Sequence, residues 1–132
     1  MRTLAAAAGV AAVLVAGPAW AGQHYMVVAS NPKSGSTIEI PHGDKLLLKL
    51  TACESCGYSW RITQKPNAQV VTFDKRLQSV NQCTGQCTGG NATERFQFSS
   101  TNVGTTSLKL GYFGPGKARP SKTLQLKLVV VA

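Results

Sequence analysis

Apolar residues recur at every second position over most of the chain. Ile38 and Ile40 flank Glu39. Leu46, Leu48 and Leu50 share one parity, as do Tyr58, Trp60 and Ile62, with Ser59, Arg61 and Thr63 on the other. Phe96 pairs with Phe98; Leu108 and Leu110 with Tyr112; and Leu124, Leu126, Leu128 and Val130 form the longest such series. A period of two means strands with one face buried. The pattern predicts strands at Tyr25–Val28, Thr37–Ile40, Lys45–Thr51, Tyr58–Thr63, Val70–Asp74, Thr93–Phe98, Thr105–Phe113 and Lys122–Val131. Helical periodicity is almost absent, and Gly, Pro, Asn and Ser separate the runs. Seven or eight short strands in one small domain predict an all-β, immunoglobulin-like antiparallel β-sandwich. A small barrel is the alternative. Trp60 is expected in the core between the sheets.

The N-terminus has a different pattern. Met1 and Arg2 precede an apolar run from Leu4 to Gly17, and Pro18-Ala19-Trp20-Ala21 supplies an Ala-x-Ala site. This is the layout of a secretory signal peptide cleaved after Ala21. A membrane anchor is the competing reading, but the run is short and Ala-rich for a span. The expectation is a signal peptide over 1–21 and a single mature domain over 22–132. That domain is secreted or periplasmic, free of the membrane after cleavage, and monomeric. It is long enough to bury a core without metal or staples. Arg2 is the only charged residue of the leader, so cleavage takes the formal charge from +9 to +8. The lysines alternate along strand-like runs, as at Lys45 and Lys49, which describes a solvated strand face. Weak attraction to acidic partners fits this charge. Nucleic acid is not an expected partner, because basic and aromatic residues do not cluster.

Two segments break the alternation: Val80–Asn91, rich in Gly, Thr and Cys, and Gly111–Ser121, which turns through Gly114-Pro115-Gly116. Loops on a rigid β scaffold are where binding residues concentrate. All four cysteines fall in loops. Cys53 and Cys56 are spaced C-x2-C, and Cys83 and Cys87 C-x3-C. Two close pairs resemble a zinc set. In an exported chain an even count points instead to two disulfides, so no metal and no cofactor are expected. A thioredoxin-like role for Cys53-Glu54-Ser55-Cys56 lacks the helix N-terminus that lowers a thiol pKa. A cysteine nucleophile lacks a base, since His24 and His42 fall near the mature start and in a turn. The protein is therefore not expected to be an enzyme. Four cysteines allow three pairings. A crossed bridge between the two loops closes about thirty residues and contributes about 3–4 kcal/mol, more than a local ring. It is the favoured form if the loops are neighbours at one end of the sandwich.

The segment Ser36–Trp60 resembles the start of the chagasin family, immunoglobulin-like protein inhibitors of papain-like cysteine peptidases. Gly43-Asp44 resembles the family's Gly-acidic turn, Leu46–Leu50 its apolar strand, and Tyr58-Ser59-Trp60 its aromatic-x-Trp exit. Gly89-Gly90 followed by Thr93, Glu94 and Phe96 resembles its second, Gly-rich loop. Val103-Gly104-Thr105 and Leu108–Tyr112 resemble the approach to its third. The resemblance implies a reversible, non-covalent wedge of three loops that fills the cleft of a papain-like peptidase. Carried onto this chain, the contact residues are Cys53, Glu54, Ser55, Cys56 and Gly57; Thr88, Gly89, Gly90 and Asn91; and Phe113, Gly114, Pro115 and Gly116. The loops depart from the family pattern. The first usually reads Asn-Pro-Thr-Thr-Gly, of which Gly57 and the hydroxyl of Ser55 remain. The third usually carries Arg-Pro-aromatic, of which Pro115 remains, with Phe113 to supply the lost apolar contact. Asn31-Pro32-Lys33-Ser34-Gly35 matches the first motif better in letters but precedes the wrong strand, and reads as an ordinary turn. A disulfide between the first and second loops would replace the stiffness that proline gives, and stiff loops lose less entropy on binding; the plainer reading is that the bridges stabilise an exported domain. The alternative is an exported immunoglobulin-like interaction or envelope module that has lost inhibitory activity.

Overall fold

The computed structural model describes residues 25–81 and 91–132. Eight strands follow in chain order: β1 (Met26–Ser30), β2 (Thr37–Pro41), β3 (Lys45–Ala52), β4 (Ser59–Gln64), β5 (Val71–Asn81), β6 (Ala92–Ser100), β7 (Gly104–Phe113) and β8 (Lys122–Val131). Among the described residues the one helical element is a 3-10 turn, Glu54–Cys56, between β3 and β4. The expected leader, and Cys83, Cys87, Thr88, Gly89 and Gly90 of the second loop, lie outside the described residues.

The strands form two four-stranded sheets, ordered β1-β3-β6-β5 and β2-β8-β7-β4. The pairings β3–β6, β5–β6, β4–β7 and β7–β8 are antiparallel, as the alternation predicts. At one edge of each sheet the pair is parallel, β1–β3 in one and β2–β8 in the other, so each sheet is mixed. The cause is the connection 31–36. It carries the chain from the edge of one sheet to the edge of the other, so neither β1 nor β2 meets its partner through a hairpin. Asn31-Pro32-Lys33-Ser34-Gly35 belongs to this crossover, and the Asn31 side chain bonds the backbone and hydroxyl of Thr51.

The predicted inward positions make the core. Leu46 and Leu48 of β3 stand opposite Phe98 and Phe96 of β6. Leu108 and Leu110 of β7 stand opposite Leu126 and Leu124 of β8, while Ile38 and Ile40 flank Leu128 and Val130. All are buried, and Trp60 is 8% exposed. Each such side chain contributes about 1.5–3 kcal/mol by leaving water.

β5 runs seven residues beyond the predicted Asp74. It is an edge strand, largely exposed, and its register slips between Phe73 and Lys75 and again between Leu77 and Val80. A bulge inserts one residue and reverses the parity that follows it. Phe73 faces Phe98, and Arg76, which an unbroken period of two would turn outward, instead stands opposite inward-facing Phe96. Period-two reading fails where a bulged edge strand crosses its own parity.

Candidate functional site: the loop end of the sandwich

Register alone gathers three connections at one end. Ala52, the last residue of β3, pairs with Ala92, the first of β6, which also pairs with Asn81, the last of β5. In the other sheet Ser59 opens β4 against Phe113, which closes β7, and neighbouring Tyr112 pairs with Lys122, which opens β8. The short link from Ala52 to Ser59 joins the two sets. The β3–β4 and β7–β8 loops therefore emerge together, beside the strand ends that flank 82–90.

The first loop is a tight turn. Cys56 N–H donates to the Cys53 carbonyl at 3.1 Å and Gly57 N–H to the Glu54 carbonyl at 2.9 Å. A 3-10 turn stacks residues three apart. It brings the Cys53 and Cys56 Cα atoms to 5.2 Å, and the two are joined as a disulfide. That separation lies in the range a disulfide bridges without backbone movement. The crossed pairing favoured from the sequence is thereby corrected: Cys53 is spent locally, because chain geometry had already placed Cys56 beside it.

Gly57 ends the turn at φ 88°, where a side chain costs energy. A Cβ there would also come within 3.2 Å of the Pro115 ring, so the first and third loops touch at this point. Gly114 gives the Tyr58 ring similar room, with a virtual Cβ 3.0 Å away. Tyr58 stacks on Tyr112 at 5.1 Å between centroids, and Trp60 lies 4.8 Å from the same ring. The Tyr112 hydroxyl accepts the Cys53 N–H at 2.9 Å. An aromatic column thus fixes one loop to the other. Glu54, Ser55, Cys56, Gly57, Pro115 and Gly116 are exposed at its tip, and Asn91 is exposed on the flank.

Phe113, expected to supply an apolar contact, is only 9% exposed. It closes β7 and folds back over Gly111, whose missing side chain leaves room for its ring and for Pro120. The Arg61 guanidinium covers it at 4.7 Å. What the third loop offers outward is Pro115 and Gly116, with cations around them.

Beneath the first loop, Glu94 and Arg76 meet Glu54 of the loop itself. Glu94 of β6 is wholly buried. Its Oε1 accepts the Trp60 N–H at 2.7 Å, and its Oε2 lies 2.9 Å from the Arg76 guanidinium. Arg76 crosses from β5 to β4, donating to the Trp60 carbonyl at 3.0 Å and to Ser59 Oγ at 3.1 Å. Its ring contact is Phe96, at 5.1 Å. Glu54 reaches down from the loop, 3.8 Å from Arg76, and accepts the Ser79 hydroxyl at 2.7 Å. Burial raises the Glu94 pKa, and the Glu54 carboxyl beside it raises it further. The Glu94 carboxyl in turn lowers Glu54, helped by Ser79. Of the two carboxyls, Glu94 is therefore the one that takes up a proton first as pH falls. The parity of Glu94, Phe96 and Phe98 along one strand does signal a buried glutamate. The partner Arg76 is concealed by the bulge.

A family model described as chagasin family peptidase inhibitor I42 matches residues 39–128. The chain belongs to that family. Its members are peptidase inhibitors and not enzymes, as the absence of a cysteine–base pair in the sequence led us to expect. Solved structures of similar fold include the cysteine protease inhibitor EhICP2 from Entamoeba histolytica, with a TM-score of 0.68 at 21% identity over 87% of this chain and all of that one. The solution structure of amebosin aligns with a TM-score of 0.60, 21% identity and coverage of 83% of this chain and all of that one. PbICP-C, solved in complex with falcipain-2, aligns at 0.57 and 14% identity over 79% of this chain and 98% of that one. No curated protein sequence matches the chain. The immunoglobulin-like β-sandwich expected from the strand pattern is thus the fold observed.

Proposed function

We propose that this protein is exported through a signal peptide cleaved after Ala21 and reversibly inhibits papain-like cysteine peptidases. It does so by seating its loop end in the active-site cleft. The observation that carries the reading is the contact of Gly57 with Pro115, which makes the first and third loops one continuous tip. Membership of an inhibitor family supports it, as does a fold shared with an inhibitor solved on falcipain-2. The tip presents backbone and small side chains, with no cysteine thiol free among the described residues. Inhibition by such a tip is steric and leaves no covalent adduct. The 3-10 turn, its disulfide and the aromatic column hold the tip before binding, which reduces the ordering entropy lost on association. A disulfide is at home in a non-cytosolic compartment, and among the described residues no helix is long and apolar enough to cross a membrane.

The test is a titration of oxidised protein, residues 22–132, against papain and a cathepsin L-type peptidase from which activating thiol has been removed. Stoichiometric inhibition that reverses on dilution is expected. No inhibition of either enzyme at micromolar protein would move the assignment to an exported interaction module. The burial of Phe113 and the charge on Glu54, both departures from the family's loops, are what favour that second reading.

A further inference from the structure

Five acidic residues occur in the chain: Glu39, Asp44, Glu54, Asp74 and Glu94. Their placement is uneven. Asp44 precedes β3, whose far end meets the loop end, and eight residues of strand separate them by roughly 25 Å. Glu39 pairs with Val129, seven residues along β8 from Lys122 and again more than about 20 Å away. Asp74 is an ion-pair partner of Lys45, near the start of β3. Only Glu54 and Glu94 stand near the loops, and both are held on Arg76. Residues 82–90 contain no acidic side chain.

Around the tip stand four cations that no carboxylate approaches. The ion pairs among the described residues are those of Lys45 and Arg76. Arg61 lies over Phe113 at 4.7 Å, and Lys122 over Tyr112 at 4.9 Å. Lys117 and Arg119 are exposed in the loop between β7 and β8. Contact with an aromatic face restrains a cation without neutralising it. Four of the thirteen cations that follow Ala21 thus stand unpaired at the stem of the third loop, while three of the five acidic residues lie toward the opposite end.

We propose that the loop end is built for a peptidase whose cleft is rimmed by carboxylates, with Arg61, Lys117, Arg119 and Lys122 forming the complementary cationic rim. This rests on the inhibitor reading and names the kind of target it selects. Charge complementarity at a rim acts chiefly on the rate of encounter and on partner choice, and little on dissociation. A chain polarised in this way also turns its loops toward an acidic target before contact.

The experiment measures association and dissociation rates of the full mature chain with two papain-type peptidases of opposite net charge, at about 20 and about 500 mM salt. With the acidic enzyme, association should slow about tenfold at high salt. With the basic enzyme it should be slower at low salt and speed up as salt rises. The double variant Lys117→Glu/Arg119→Glu, at two exposed loop positions, should lower association with the acidic enzyme about tenfold at low salt and change dissociation less than about threefold. The charge-matched control Lys65→Glu/Lys127→Glu, away from the tip, should have a much smaller effect. Stoichiometric inhibition with association rates indifferent to salt and to both variants would overturn the cationic rim and leave the inhibitor reading standing. Failure to inhibit either enzyme defeats that reading, and this inference with it. Sedimentation with anionic phosphatidylglycerol vesicles, abolished in Lys117→Glu/Arg119→Glu while peptidase kinetics stay unchanged, would reassign the patch to a membrane surface and overturn it as well.

Discussion

Glu94 carries no exposed surface, yet it shares Arg76 with Glu54 of the first loop. Arg76 compensates its charge and also ties the first residues of β4 to β5. Truncating one member of a buried ion pair leaves the other uncompensated. The Arg76 side chain is itself 36% exposed, so water relieves part of the loss. Arg76→Ala should cost about 2–3 kcal/mol near neutral pH. The cost should shrink in acid, where Glu94 takes up a proton, and urea denaturation at both pH values checks this. The two carboxyls act in opposite directions with pH. Glu94, with its raised pKa, contributes stability that is complete below the ordinary carboxyl value of 4.5 and is lost as pH rises through its raised value. Glu54, with its lowered pKa, contributes stability that is complete above 4.5 and is lost as pH falls through its lowered value. Stability from the pair should therefore peak where it holds one proton. Glu94→Gln retains an acceptor for Trp60 N–H and should flatten the decline on the alkaline side of a urea-midpoint profile.

The first loop is the element on which sequence spacing and geometry disagreed. A turn of three residues sets the distance between Cys53 and Cys56, whatever the neighbouring loop contains. Trypsin cleavage after Lys49 and Arg61 isolates residues 50–61, which hold both cysteines. Under non-reducing conditions this peptide should be found alone, lighter than its reduced form by two hydrogens. A crossed bridge would join it to residues 77–95, which hold Cys83 and Cys87. A ring this small constrains the unfolded chain less than a thirty-residue one. The double variant Cys53→Ser/Cys56→Ser should thus lose about 2 kcal/mol or less and should show its larger effect as faster dissociation from a peptidase. Gly57 joins the same loop to Pro115. Gly57→Val meets both an unfavourable φ and the proline ring, and should destabilise by about 1–3 kcal/mol while weakening inhibition beyond what the stability loss explains.

At the scale of the molecule, the core and the tip are separable. Phe98 lies between Leu46 and Phe73, six residues along β6 from Ala92 and roughly 20 Å from the loops. Phe98→Ala should cost about 3–5 kcal/mol of stability, measured by urea unfolding. The protein that remains folded should still titrate a peptidase with unchanged stoichiometry. The sandwich itself was legible in the chain because burial on one face of a strand requires alternation, and Leu46, Leu48, Leu50 and the series from Leu124 to Val130 display it without context. The family was legible because the Tyr58-Ser59-Trp60 exit and the Gly43-Asp44 turn are local. Tertiary structure alone decided the parallel edges, since β1 and β2 take their direction from a crossover between sheets. It decided the fate of Phe113, which is covered by Arg61 from the neighbouring strand β4 and folds over Gly111 of its own strand beside Pro120. It also decided the Glu54–Arg76–Glu94 cluster. A bulge reverses parity at Arg76, and no sequence interval joins a loop residue, Glu54, to two residues that meet only when β5 pairs with β6.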